Sequence, residues 1–364
     1  MTGEEAKKEA GKPNLKDRVL KWGAVPAAAV ALGAAAYTPA ASAERALRGT
    51  KATLFTEYGG SKPAEAESKL KDISELPGFG MEVTPYQRVL LKNSTLKITQ
   101  PKSFEWQNGE GCSAIKVKTG GQEPLVSDGH CWEPAEADQS KYWVIDPLAS
   151  PDARIAKDGS IYTVRDRNPM AVVEDISILK NPDIALLKVK PLGLKKEIQA
   201  MPGFKSRTFN EVAAVPGNLA IDEPLVGQEA VLSGVPSVNG NRLVTAKGIY
   251  IGRYEYNDGS STQLVDVIAI NAKQPSNNPC GRGGSGGAAL LADNHILVSL
   301  IGSVNIGYGP GHRVYDYESD LTPEEANRVW EITENALEVK LSKSDFNTLC
   351  FLSVVDNDIL TSLV

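Results

Sequence analysis

The residues Ala114-Ile115-Lys116-Val117, Thr119-Gly120-Gly121 and Leu125-Val126-Ser127-Asp128-Gly129-His130-Cys131 decide the fold class. A short strand-like run, a glycine turn and a second apolar run follow one another, with no room for a helix between them. The same texture extends in both directions. Upstream lie Val89-Leu90-Leu91 and Leu96-Lys97-Ile98, with the turn cluster Asn108-Gly109-Glu110-Gly111 after them. Downstream come Tyr142-Trp143-Val144-Ile145, Ile161-Tyr162-Thr163-Val164, Ala230-Val231-Leu232 and Gln263-Leu264-Val265-Asp266-Val267-Ile268. The chain's 33 glycines and 22 prolines favour turns over long helices. Many short strands separated by turns predict an all-β barrel or sandwich of about 230 residues. Only Thr322 to Leu341 reads as a helix, with Thr322 as N-cap, Pro323 in the first turn and Glu324 and Glu325 at the positive end.

The N-terminus reads differently. Five lysines (Lys7, Lys8, Lys12, Lys16, Lys21) precede an uncharged stretch, Trp22 to Ala43, that ends in Ala41-Ser42-Ala43. A basic, then apolar, then small-x-small order is that of a secretory signal peptide. The alternative is an uncleaved anchor, against which stand the marginal hydrophobicity of alanine and the presence of Pro26 and Pro39. The expectation is a signal peptide (or anchor) over 1–43, a linker or pro-segment over 44–88, a catalytic domain over 89–341 and a tail over 342–364. The product is secreted, or held at the outer membrane face if the segment stays. Net charge is only -6 and no basic cluster alternates with aromatics, which argues against a nucleic-acid partner. Three scattered histidines and the lack of a Cys-x-x-Cys pair argue against zinc.

Three segments carry chemistry when read together. One is the histidine at the end of Leu125 to Cys131. Another is Asn181-Pro182-Asp183-Ile184-Ala185-Leu186-Leu187, an acid at the mouth of an apolar strand. The third is Cys280-Gly281-Arg282-Gly283-Gly284-Ser285-Gly286-Gly287-Ala288, a serine in a glycine turn. Singly each has a plain structural reading: a strand-end histidine, one acid among 45, a flexible Gly-Ser run. A phosphate loop is disfavoured because no lysine follows the glycines. In combination they supply a nucleophile, a base, an acid to orient the base, and backbone donors from Gly283 and Ser285 for an oxyanion.

Ser127-Asp128-Gly129-His130-Cys131 resembles the histidine motif of chymotrypsin-like serine proteases. Asp183-Ile184-Ala185-Leu186-Leu187 resembles that family's aspartate motif, and Gly283-Gly284-Ser285-Gly286-Gly287 is similar to its nucleophile loop. The order His, Asp, Ser matches over about Val89 to Leu341. The resemblance implies two packed antiparallel six-stranded β-barrels with a C-terminal helix. It also implies a triad of His130, Asp183 and Ser285, an acyl-enzyme intermediate, protein or peptide substrates, and no cofactor or metal. His295 and His312 follow Ser285 and are in the wrong order to be the base. Two other readings are a protease-fold binding protein without catalysis and an esterase. The esterase elbow needs the order Ser, acid, His in alternating strands and helices.

Departures from the family pattern carry their own expectations. Gly284 stands where the family commonly has Asp, and no Ile-Val-Gly-Gly start is present, so maturation by the salt bridge to a freed N-terminus is not expected. Cys280 lies five residues before Ser285 in place of four. The base of the substrate pocket is then Pro279, or Asn278 if an insertion is counted, with Ser303 and Val304 on the wall and Arg313 nearby. Strong preference for Lys or Arg is not expected. The resemblance also pairs Cys112 with Cys131. For Cys280 the choice lies between a bridge to Cys350 and two buried free thiols.

Overall fold

The structure, a computed structural model, describes residues 70–99, 111–118, 121–132, 142–148, 153–155, 161–163, 169–180, 182–193, 207–216, 223–236, 242–257, 262–274, 277–281, 283–306 and 323–355. The candidate signal region, the Asn108–Glu110 turn, Arg282, His312, Arg313 and the helix cap Thr322 lie outside them.

The first part of the chain gives β1 (Lys71–Asp72), α1 (Pro85–Ser94), β2 (Thr95–Thr99), β3 (Gly111–Lys118), β4 (Leu125–Ser127) and β5 (Trp143–Ile145). It continues with a small hairpin, β6 (Ala153–Ile155) and β7 (Ile161–Thr163), then β8 (Ala171–Lys180), β9 (Asp183–Pro191) and β10 (Val215–Pro216). The second part gives β11 (Glu229–Gly234), β12 (Val244–Asn257), β13 (Thr262–Ile270), β14 (Ala288–Leu291), β15 (Ile296–Leu297) and β16 (Leu300–Asn305). It ends with α2 (Pro323–Ala336), β17 (Val339–Lys340) and β18 (Thr348–Ser353).

Strands β3-β2-β5-β8-β9-β4 pair in that order, and β4 pairs back onto β3, closing a six-stranded antiparallel barrel with β10 added in parallel at β3. The second sheet runs β15-β14-β11-β12-β13-β18-β16. Among the described residues no strand ladder closes it, so it is a half-barrel sheet, consistent with the second of the two packed barrels expected. Two backbone bonds draw its ends together, Leu300 N–H to the Gly287 carbonyl and Gly286 N–H to the Leu300 carbonyl, both 3.1 Å. The architecture is therefore all-β with two packed sheets and a C-terminal helix.

Apolar runs in this chain are nearly continuous because both faces of several strands are buried. In β9, Ile184 and Leu186 face the seam between the sheets, beside Val126, Val231, Ala288 and Leu290. Ala185 and Leu187 point the other way, into the barrel with Leu96, Val144 and Trp132. Strand β14 repeats the arrangement, Ala288 and Leu290 to the seam and Ala289 and Leu291 into the second sheet. This is the two-residue period of a strand read against two cores at once. Each buried Leu or Ile contributes about 1.5–3 kcal/mol. The strands that carry Asp183 and follow Ser285 are thus among the most firmly packed.

Four local expectations are corrected. Val89-Leu90-Leu91 lies in α1, not a strand. Thr84 caps that helix in a reciprocal box with Gln87, and Pro85 occupies its first turn. The helix predicted to Leu341 stops at Ala336, because Glu338 takes a left-handed φ of 53° and Val339 starts β17. Residues 70–88 are not a loose linker: β1 pairs with β17, Leu76 is buried beside Trp330, and the Val83 N–H donates to Glu229. Nor do residues after 341 trail off, since β18 sits between β13 and β16.

Candidate active site

Strand β4 ends at Ser127, and the chain turns through one 3-10 turn, Gly129–Cys131. A disulfide from Cys131 to Cys112 of β3 ties that turn to the barrel, with Cα atoms 6.3 Å apart. Asp183 opens β9 beneath the turn. Its Oδ1 accepts the His130 backbone N–H at 2.8 Å, and its Oδ2 lies 2.5 Å from His130 Nδ1. An ionised carboxylate only accepts, so Nδ1 carries the proton in this pair and Nε2 presents the lone pair. Nε2 is buried without a hydrogen-bond partner among the described residues, with Asp128 Oδ2 3.9 Å away.

The glycine turn approaches from the second sheet. The Ser285 carbonyl accepts the Ser113 N–H at 2.6 Å, which ties the Ser285 turn to the first barrel, and Ser285 is 7% exposed. Two glycines are demanded by space. A Cβ on Gly284 would collide with the Pro279 carbonyl, so the Asp common in the resembling family has no room here. Gly286 has φ +80° and its Cβ would strike the Ser113 carbonyl and Ser127 hydroxyl. Several amides in the turn are committed: Gly284 to Gly281, Gly286 to Asp128 and Leu300, and Gly287 to Gly284. Those of Gly283 and Ser285 are the uncommitted donors of the turn among the described residues. The Gly283 carbonyl is held from behind by Ser113 Oγ at 3.1 Å and by Lys97 Nζ at 3.4 Å. Lys97 is 2% exposed, and its ammonium also donates to the carbonyls of Gly111 and Val235.

Burial disfavours the His130 cation, but the charge and hydrogen bond of Asp183 outweigh it and lift the pKa above its ordinary value of 6.5. For Asp128, burial dominates and pushes the carboxyl up to about 8. Asp128, His130 and Cys131 gather closely, but the Cys131 sulfur is spent in its disulfide and offers no lone thiolate to a metal.

The structure joins Cys280 to Cys350, Cα atoms 6.0 Å apart, so the alternative of two free thiols does not hold. Around the expected pocket base, Asn278 lies 3.4 Å from Ser303 Oγ, and Ser303 Oγ donates to the Cys280 carbonyl at 3.3 Å. The Pro279 carbonyl packs against Gly234 and Gly284. Val304 is the exception among the pocket candidates. It is fully buried with Trp330, Ile251 and Leu349 beneath α2, because successive residues of β16 face opposite sides. His295 pairs with Asp293 at 2.9 Å in the turn between β14 and β15. Asp128, Ser299, Lys97 and Ser113 were not singled out in the sequence. The available signal was a charged or polar residue inside an apolar run, as in Leu96-Lys97-Ile98 and Val298-Ser299-Leu300.

No protein-family model and no curated protein matches the chain. Among solved structures, it is similar to the active form of a protease from Mycobacterium tuberculosis (12% identity, 83% of this chain and 92% of that one, TM-score 0.39). It is also similar to the protease Anisep from Arthrobacter nicotinovorans (14% identity, 74% and 93%, TM-score 0.37). A third is a serine endoprotease from Yersinia pestis (14% identity, 60% and 57%, TM-score 0.31). Likenesses of this order assign no family, and the site is read from its own atoms.

Proposed function

We propose that the chain is a serine endopeptidase acting through Ser285, His130 and Asp183. The observation that carries the reading is the doubly bonded Asp183–His130 pair, which leaves Nε2 as the basic nitrogen at the seam where the Ser285 turn meets the first barrel. In this reading Nε2 takes the Ser285 proton as Oγ attacks a peptide carbonyl. The N–H groups of Gly283 and Ser285 receive the oxyanion, and Lys97 and Ser113 hold the Gly283 carbonyl, fixing the peptide that follows the Gly283 donor. Collapse passes the proton from His130 to the leaving amine and leaves an acyl-enzyme, which water then releases by the reverse steps. Asn278 and Ser303 form the polar base of the pocket for the side chain before the cut. The reading requires no cofactor or metal.

The substrates are proteins or peptides outside the cell, to which residues 1–43 direct the chain. Two disulfides suit an oxidising compartment, and no helix of the described residues is long and apolar enough to cross a membrane. The catalytic unit spans at least residues 70–355, since β1 pairs with β17 in a two-stranded sheet of their own and β18 lies between β13 and β16 in the second sheet. Ser285→Ala and His130→Ala should each slow peptide hydrolysis by about four to six orders of magnitude without unfolding the protein. Wild-type turnover in either variant would refute the assignment.

A further inference from the structure

The carboxyl of Asp128 is fully buried and touches both halves of the proposed site. Its Oδ2 accepts the Gly286 N–H at 2.7 Å, one residue after the nucleophile, and lies 3.9 Å from His130 Nε2. Its Oδ1 meets the hydroxyl of Ser299, and that same hydroxyl meets the backbone carbonyl of Asp183. Counting protons decides how this chain of contacts is made. A serine hydroxyl owns one hydrogen. If Asp128 were ionised, the Ser299 oxygen would face two pure acceptors, Oδ1 and the Asp183 carbonyl, with a single proton between them. If Asp128 is a neutral acid, its Oδ1–H donates to Ser299, Ser299 donates to the Asp183 carbonyl, and every contact has its hydrogen. Ser299 is held in a left-handed backbone with φ 60°, a strained conformation for a serine, and the Ser353 N–H fixes its carbonyl. The strain places its hydroxyl between the two aspartates.

We propose that Asp128 is a positioning residue that works as a neutral carboxylic acid, linking the Ser285–Gly286 turn to the strand that bears Asp183. The inference rests on the triad reading above. The charged groups facing Asp128 are His130 and Asp183. With Asp183 ionised and bonded to His130, a second anion on the Nε2 side would hold the imidazole cationic and unable to accept the serine proton. Neutrality of Asp128 leaves the base under the control of Asp183 alone. Burial acts in the same direction, pushing the carboxyl up.

Asn is the isostere of this neutral acid: its amide N–H can donate to Ser299 and its carbonyl can accept from Gly286. Asp128→Ala should lower kcat by at least about tenfold with KM little changed, because the Gly286 N–H and the Ser299 hydroxyl each lose one of two partners and the link between the Ser285 turn and Ser299 is cut. Asp128→Asn should recover most of that loss and leave the acid limb of the kcat/KM–pH profile in place. Isotope-edited infrared spectra should show a protonated carboxyl that disappears in Asp128→Asn. A fall of the acid limb by about one pH unit or more in Asp128→Asn would show that an anion had been removed from beside His130 and would overturn the proposal. So would a kcat for Asn as low as that for Ala. If the Ala variant does not fold, the Asn profile and the infrared band decide alone. A wild-type protein that hydrolyses no peptide sinks the protease reading, whereas an active wild type with a shifted Asn profile sinks only this one.

Discussion

Removing the Cys280–Cys350 bridge, as Cys280→Ala/Cys350→Ala, should destabilise the fold by about 4 kcal/mol. The bridge spans a sequence separation of 70 residues, and constraining a loop of that length in the unfolded chain accounts for the figure. Little of the loss should come from the folded state. Cys350 stays in β18 between Ile268 and Ser303, and Cys280 keeps its bond to the Asn278 side chain. Both positions are at most 4% exposed, so alanine leaves only small voids. A loss of about 4 kcal/mol corresponds to about 7 °C in Tm for a unit of this size, at about 2.1 cal/mol/K of unfolding entropy per residue. Urea denaturation of the oxidised wild type and the double variant measures it, with the m-value checking that the unfolded state stays comparable. A change below about 1 kcal/mol, or alkylation of Cys280 and Cys350 in the native protein without reductant, would refute the reasoning.

The remaining predictions follow from the site. Because the charge and hydrogen bond of Asp183 lift His130 above its ordinary value of 6.5, kcat/KM should rise along a limb lying above pH 6.5. The same shift has a stability sign. A pKa raised on folding stabilises fully below the unfolded value of 6.5, and that stabilisation is lost as pH rises through the raised folded value; denaturation midpoints from pH 6.5 upward test it. Lys97→Met strips a donor from three buried carbonyls and should cost about 2–4 kcal/mol on a urea curve, with kcat falling more than KM rises. On the proposed pocket base of Asn278 and Ser303, a peptide library should show no dominant cleavage after Lys or Arg.

What was legible in the sequence was what a strand's period and a motif's order encode. The runs after Asp183 and Ser285 are continuous apolar stretches, and the structure uses both faces of each between two cores. Gly284, Gly286 and Gly287 of the Ser285 turn are spelled out because side chains cannot fit there. Elements that depend on distant partners were less visible. The run Val89-Leu90-Leu91 looks like a strand until the capping pair of Thr84 and Gln87 is noticed. Strand β18 follows a helix and reads as a tail, yet its place is fixed by β13 and β16. The facing of Val304 depends on a register shift between Leu300 and Gly302 that no local pattern announces. Asp128 and Lys97 look like ordinary surface charges in a list of residues, and only the packing of two sheets buries them.

The most direct test of the central claim is to treat the folded wild-type protein with a fluorophosphonate and map the adduct by mass spectrometry. An activated serine reacts because a base takes its proton and the oxyanion is received, whereas an ordinary buried hydroxyl does not. The account predicts stoichiometric labelling on Ser285, abolished in Ser285→Ala and nearly abolished in His130→Ala. A properly folded wild-type protein that takes up no label, or carries it on another serine, would contradict it.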